Sequence, residues 1–444
     1  MKKHDHFIDI LQLFPKFLFI CLPIILKSQT PKHNLIGYLH NWQVSNAPYV
    51  QLDEVDARYD IIDVAFAEPK LGTSYNMQFV PNQVSKAIFI SQIQTVQAQG
   101  RKVLISMGGA NAPVSMHNIA ERDTFIASMN NIIETYGFDG MDIDFEGNSL
   151  SLSGGTIANP VDEPIKNLIY AVKQIMTDYY VQHQHRLILT MAPETAFVQG
   201  GQSAYNGIWG AYLPLIDALR DSIDILHVQL YNSGSMYGID GKVYFQGTAD
   251  FIVAECEAVI QGFNTAGGMF KGLPANKIAV GLPACSIAAG GGYTDTIAVK
   301  AALDYLLGKG PQPGAYKLAN PSGYPDFRGM MTWSINWDAV ATCGNVYSYA
   351  QNFTNIFGTT TSILATNLSE KGFTIYPNPT TDNLHIKFAN SNESAVKLCI
   401  FNNLGKMVFS QTIVSEDEMI DISKLPSGMY YLVCNHFTQK TIKL

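Results

Sequence analysis

Charge is scarce in this chain, and positive charge scarcer still. Only 15% of its 444 residues are Asp, Glu, Lys or Arg, and 29 basic residues face 37 acidic ones. The net charge of −8 argues against nucleic acid or an anionic membrane as partner, since both need a basic face. Cysteine is rare too: Cys21 lies in the N-terminal segment, Cys256, Cys285 and Cys343 further on, and Cys399 and Cys434 near the end. That number and spacing do not suggest a disulfide framework. No close Cys or His pairing has metal-site spacing, and nothing calls for a metal or cofactor. The histidines are scattered; His227 shares a strand face with Gln229 and Tyr231 and reads as a satisfied core histidine. No stable membrane span is expected, because the apolar stretch Phe17–Leu26 is too short to cross a bilayer as a helix. Preceded by Lys2 and Lys3 and followed by a mostly polar Lys27–Lys32, it reads as the core of an export signal covering residues 1–29.

What the chain does have is apolar material, 47% of residues, ample for a large core plus something smaller. Its densest information lies in Phe138-Asp139-Gly140-Met141-Asp142-Ile143-Asp144-Phe145-Glu146. As a strand, this string puts Asp142, Asp144 and Glu146 on one face and Met141, Ile143 and Phe145 on the other. Buried charges need a reason. Like charges so close repel, so one carboxyl is expected to hold its proton near neutral pH, which makes a proton donor for catalysis.

Eight short apolar runs can be counted between Asn34 and Phe357: Leu35–Leu39, Ile61–Ala67, Lys102–Met107, Gly140–Phe145, Leu187–Ala192, Ile225–Tyr231, Ile278–Leu282 and Gly329–Trp333. Helical periodicity marks Val84–Gln99, Thr124–Tyr136, Glu163–Val181, Ala249–Phe263 and Ile297–Leu307 between them. Strands alternating with helices imply a parallel sheet, and eight repeats predict an α/β fold, a closed (β/α)8 TIM barrel. That fold carries its chemistry at the C-terminal ends of the strands.

The spacing Asp-x-x-Asp-x-Asp-x-Glu, filled by Asp139, Asp142, Asp144 and Glu146, resembles the signature of glycoside hydrolase family 18, the chitinases and related N-acetylglucosaminidases. Ser106-Met107-Gly108-Gly109, Met191-Ala192-Pro193-Glu194, Gln229-Leu230-Tyr231-Asn232 and Met331-Thr332-Trp333-Ser334 resemble strings on the family's other strands. The resemblance covers about Asn34 to Phe357 and implies substrate-assisted retaining hydrolysis. It implies Glu146 as general acid and base, Asp144 as the group holding the acetamido N–H, and Asp142 beneath, sharing a proton. Asp139 braces the turn. Tyr231, Gln229, Asn232, Met191 and Trp333 are the implied substrate contacts, with Tyr38, Glu194, Phe66, Trp42 and Trp337 as further candidates. Chitin or chito-oligosaccharides are the implied substrates, to which net charge is indifferent. Many processive members insert an α+β module after strand seven; Leu282 to Gly329 leaves little room for one, so an open groove and endo action are expected. An endo-β-N-acetylglucosaminidase acting on N-glycan cores stays open, as does a non-catalytic lectin on the same barrel, against which the presence of Glu146 argues.

After Phe357 the composition shifts to a small polar linker, residues 359–370, and then to short strand-like runs with turn signals, an expected all-β sandwich over 371–444. This segment lacks Trp, and so lacks a platform for sugar stacking. Tyr376-Pro377-Asn378-Pro379-Thr380, Leu425–Tyr430 and Lys440–Leu444 resemble a sorting domain of type IX secretion systems. The catalytic domain is bounded at 32–358, and the expected destination is the cell surface or the medium.

Overall fold

The structure, a computed structural model, describes residues 33–358, 373–388, 396–402, 406–413, 415, 417–434 and 437–444. The expected export signal and linker lie outside the described residues. The chain divides into two compact units, Met1–Thr360 and Thr361–Leu444.

In the first unit the apolar runs become eight parallel strands: β1 Asn34–His40, β2 Ile61–Pro69, β3 Lys102–Gly108, β4 Gly140–Asp144, β5 Ile188–Met191, β6 Ile225–Leu226, β7 Ala279–Pro283 and β8 Gly329–Trp333. They pair in the order β7-β8-β1-β2-β3-β4-β5-β6, and the bridges Leu226–Ile278 and Gln229–Gly281 bring β6 to β7, nearly closing the barrel. Around it run α1 Lys86–Ala98, α2 Ile119–Tyr136, α3 Glu163–His183, α4 Leu213–Leu219, α5 Ala249–Gln261, α6 Thr296–Leu306, the short α7 Ile335–Asp338 and α8 Ser348–Phe357. Side chains cap several of their N-termini: Ser85 accepts from the Ile88 amide, Asn118 from Glu121, Thr248 from Phe251 and Asp295 from Ile297 and Ala298.

Strand alternation sorts every side chain. Met141, Ile143 and Phe145 join the shell between strands and helices, while Ile36, Leu104, Ile225, Ala279 and Met331 form a separate apolar cluster within the barrel. Register places a polar layer above that cluster. Tyr38 of β1 pairs with Asp63 of β2, and Ser106 of β3 pairs with Asp142 of β4, which pairs with Thr190 of β5.

The second unit is all β. Strands β9 Phe373–Tyr376, β10 Asn383–Phe388 and β13 Asp417–Asp421 form one antiparallel sheet; β11 Val396–Asn402, β12 Met407–Ile413, β14 Gly428–Cys434 and β15 Phe437–Lys443 form the other. Leu384, Ile386 and Ile420 from the first sheet share a core with Leu398, Ile400, Ile413, Tyr430 and Leu432 from the second, which makes a sandwich.

Candidate active site

The acids stand where the alternation of β4 puts them. Asp142 and Asp144 are buried on the inner face, and Glu146, two residues past the strand, is half-buried at the mouth. Asp142 is the most tightly held. Its Oδ2 accepts from the hydroxyls of Tyr38 (2.5 Å) and Ser106 (2.7 Å), and its Oδ1 accepts from Thr190 (2.7 Å). Above it, burial pushes the Asp144 carboxyl well up, and the negative charges of Glu146 and Asp142 push it further. Asp144 is hydrogen-bonded to Glu146. The Gln229 amide ties the pair together, donating to Asp144 Oδ1 (2.8 Å), Glu146 Oε1 (3.1 Å) and the Ala192 carbonyl (2.9 Å). The turn that carries Glu146 is clamped from below by Tyr212, whose hydroxyl accepts from the Phe145 amide (2.7 Å) and donates to the Phe145 carbonyl (3.1 Å).

Around these carboxylates opens a cleft lined by Trp42, Phe66, Asn111, Glu146, Gln229, Tyr231, Asn232, Ala288, Ala289 and Trp333. Phe66 and Trp333 lie nearly parallel, 6.0 Å apart, and Trp42 stacks on His40 at 4.6 Å, so one side of the cleft is an aromatic floor. The opposite wall is the loop after β7. The Asn232 backbone N–H donates to the Gly291 carbonyl and its side-chain Oδ1 accepts from the Gly291 backbone N–H, both at 3.1 Å. A Cβ on Gly292 would meet Tyr231 Cα at 2.6 Å, so only glycine lets this loop approach so closely. Cys285, at the loop's root, is disulfide-bonded to Cys343 beyond α7, the one bridge among the described residues, which the cysteine spacing did not suggest.

Residues 34–367 match the glycosyl hydrolases family 18, and residues 374–444 match the secretion system C-terminal sorting domain. The chain belongs to family 18. It is 47% identical to "Chitinase Chi52" of Paenibacillus xylanexedens over 69% of this chain and 58% of that protein. It is 33% identical to "Chitinase ChiA" of Flavobacterium johnsoniae over 88% of this chain and 26% of that protein. The chain thus spans little more than half the length of the first and about a quarter of the second. Among solved structures it resembles a family 18 chitinase from Chromobacterium violaceum, with a TM-score of 0.65, 37% identity, and coverage of 73% of this chain and 83% of that one. The sorting domain marks the chain for export to the cell surface or the extracellular space.

Of the residues named from this family's motifs, the structure gathers Glu146, Gln229, Tyr231, Asn232, Trp333, Trp42 and Phe66 on one cleft, with Asp144 and Asp142 beneath. Glu194 stands beside it, half-buried and taking a hydrogen bond from the Gly147 backbone; burial and the charge of Glu146 raise its carboxyl. Three of the named candidates lie away from the cleft lining. Met191 does not reach the cleft: it alternates with Thr190 and Ala192 and packs in the outer apolar shell. Tyr38 is 1% exposed and braces Asp142 from below, so it is no surface for sugar. Trp337, on α7, is not part of the cleft lining. Asp139 does brace its turn, bonded to Lys102, to the Gln97 side chain and to the Val103 amide. His227 is not satisfied: apart from an intraresidue contact with its own backbone, neither ring nitrogen has a hydrogen-bond partner. Thr190, Asp63 and Tyr212 went unnamed as site residues; Thr190 and Asp63 are each a single polar residue inside an apolar strand run, a signal that alternation could have raised, whereas Tyr212 lies in the turn before α4 and carries no such pattern.

Proposed function

We propose that this protein is an exported chitinase that hydrolyses β-1,4 bonds between N-acetylglucosamine units with retention of configuration. The observation that carries the reading is the stack Asp142–Asp144–Glu146, rising from a hydroxyl-lined interior to a half-exposed acid beside an aromatic floor. Glu146 protonates the leaving oxygen while the substrate's own acetamido oxygen attacks the anomeric carbon from the other face. No second carboxylate serves as nucleophile; family 18 departs from the two-carboxylate scheme in this way. Asp144 accepts the acetamido N–H and faces the positive charge of the oxazolinium ion that forms. Tyr231 donates its hydroxyl to the acetamido oxygen, consistent with a phenol whose proton is held by burial and by the charges of Asp144 and Glu146. Trp333 stacks under the sugar at the bond being cut. Glu146, now a carboxylate, then takes a proton from water, which opens the ion to a β product.

Between β7 and β8 the described residues form α6 and irregular chain with no strand. A cleft without that extra wall supports internal cutting. The sorting tail supports passage through type IX machinery.

The second reading, an endo-β-N-acetylglucosaminidase, uses identical chemistry and differs in the sugars it accepts. Product analysis on crystalline chitin, chitohexaose and a high-mannose glycoprotein separates the two. The chitinase reading expects short chito-oligosaccharides from the first two substrates and an intact glycan on the third. Release of the glycan with chitohexaose untouched would overturn it.

A further inference from the structure

Directly beneath the reacting carboxylates, the barrel encloses a second pair of ionisable groups. Asp63 and His227 are both fully buried, and neither carboxylate oxygen of Asp63 nor, beyond its own backbone, either nitrogen of His227 has a hydrogen-bond partner. Unpartnered polar groups at such depth are costly, and an isolated charge costs far more. The two are not random neighbours. His227 Nε2 lies 3.7 Å from Asp63 Oδ2 and 3.6 Å from Asp142 Oδ1, so one nitrogen faces both carboxyls. A small rotation of the imidazole brings it within hydrogen-bond reach of either.

We propose that Asp63 and His227 share one buried proton and act as positioning residues that present it to Asp142. The proton resides on Asp63 Oδ2, leaving a neutral imidazole, or moves to Nε2, leaving an aspartate beside an imidazolium. Either way the pair stays net neutral, so the transfer needs no charge from outside. With the proton on Nε2, an N–H points at Asp142 Oδ1, where Thr190 already donates. Burial favours the neutral form of both groups, which suits a proton that resides on Asp63 and moves only when negative charge gathers above. The groups facing the pair are Tyr38 from β1, Ser106 from β3, Asp142 from β4, with Asp144 above it, and Thr190 from β5. From β7 and β8 the interior receives Gly281 and Met331, which do not titrate. No cation faces the pair among these. The proton on His227 is therefore the positive charge this interior can offer when Asp144 turns toward the oxazolinium ion.

The inference rests on the family reaction proposed above, and its test is separate. Asp63→Asn and His227→Gln both remove the mobile proton with little change in volume. In either full-length variant the carboxylates keep their protons to higher pH. The acid-side ionisation of the kcat/KM profile should move up by about 0.5–1 pH unit, with KM changed less than about threefold. The double variant should shift no further than either single one, because both break the same exchange. In the free wild type, nitrogen NMR of His227 should report a neutral ring whose Nε2 takes a hydrogen bond from the Asp63 carboxyl, a signal that changes in Asp63→Asn; an Nε2 signal blind to Asp63→Asn would overturn the pair. Superimposable pH profiles, or two shifts that add, would overturn the proposal. So would a stoichiometric metal found in the purified protein and lost with His227→Gln, which would make the cluster a cation site. Inactivity of the wild type on chito-oligosaccharides would instead fail the family reaction and leave the NMR result to decide the pair.

Discussion

Glu146 is the residue on which the proposed chemistry turns. Glu146→Gln keeps its shape and its bond to Gln229 but cannot give up a proton. Hydrolysis of chitohexaose should fall by about 10²–10⁴-fold while binding, followed by calorimetry, persists. Turnover near the wild-type rate would remove Glu146 from its role. A second prediction concerns His40, buried under the aromatic floor, whose proton affinity burial lowers to about 4. The unfolded chain binds that proton near pH 6.5 and the folded one near 4, so the folded state holds fewer protons across that window. Stability from this site is therefore complete above about pH 6.5, declines as pH falls toward 4, and is level below. The Tm difference between wild type and His40→Asn should shift against the wild type as pH drops from 7 to 4; a gap constant with pH would contradict it. At this scale the acids were legible because an acid at every second strand position is a costly pattern with few structural uses. Met191 was misplaced because a motif string does not state parity: one step along β5 exchanges cleft for outer shell. Tyr38 and His227 were misread for a related reason, since alternation places a side chain in the barrel but not at a depth.

The strands and most helices could be read as elements, since their apolar periods are clean. The exceptions follow from local structure. The run Ile225–Tyr231 pairs as a strand only at Ile225–Leu226, because the chain past it turns toward the cleft, bridging Gln229 to Gly281 and reaching a left-handed Asn232 (φ 53°). Helix α4 has only seven residues and begins with Leu213-Pro214, too short to show a period. The Cys285–Cys343 bridge was invisible because the two cysteines stand 58 residues apart and meet only once β7 and β8 are side by side. It ties the loop after β7, which carries Ala288 and Ala289 of the cleft lining, to the segment after α7. Replacing both cysteines with serine should lower Tm; the chain-entropy estimate for such a loop is about 4 kcal/mol, an upper figure. The freed loop should also raise KM for chitohexaose more than it lowers kcat, because Gly291 and Gly292 are seated against Asn232 and Tyr231. Unchanged KM alongside a lowered Tm would confine the bridge to a structural role.

At the scale of the whole chain, the change of composition after Phe357 was the legible mark of a boundary, and the sandwich followed from turns and short strands. Seven strands were harder to see than three, because segments such as Asp417–Asp421 carry a single fully buried side chain, Ile420. All cleft residues precede that boundary and the two units have separate apolar cores, so residues 32–358 alone should fold and hydrolyse chitohexaose at close to the full rate. Loss of catalysis from a folded barrel would give the tail a part in the reaction. Fused to an exported reporter in a bacterium with type IX machinery, residues 371–444 should carry it to the surface or medium. Periplasmic retention together with chitin binding by the tail would make it a sugar-binding module instead.

Everything proposed for the cleft depends on the substrate's acetamido group acting as nucleophile. The most direct check is proton NMR of the reducing ends released from chitohexaose in the first minutes, before mutarotation. The β anomer should appear first, and chitosan stripped of acetyl groups should yield nothing. An α anomer as the first product, or cutting of the deacetylated polymer, would contradict the mechanism.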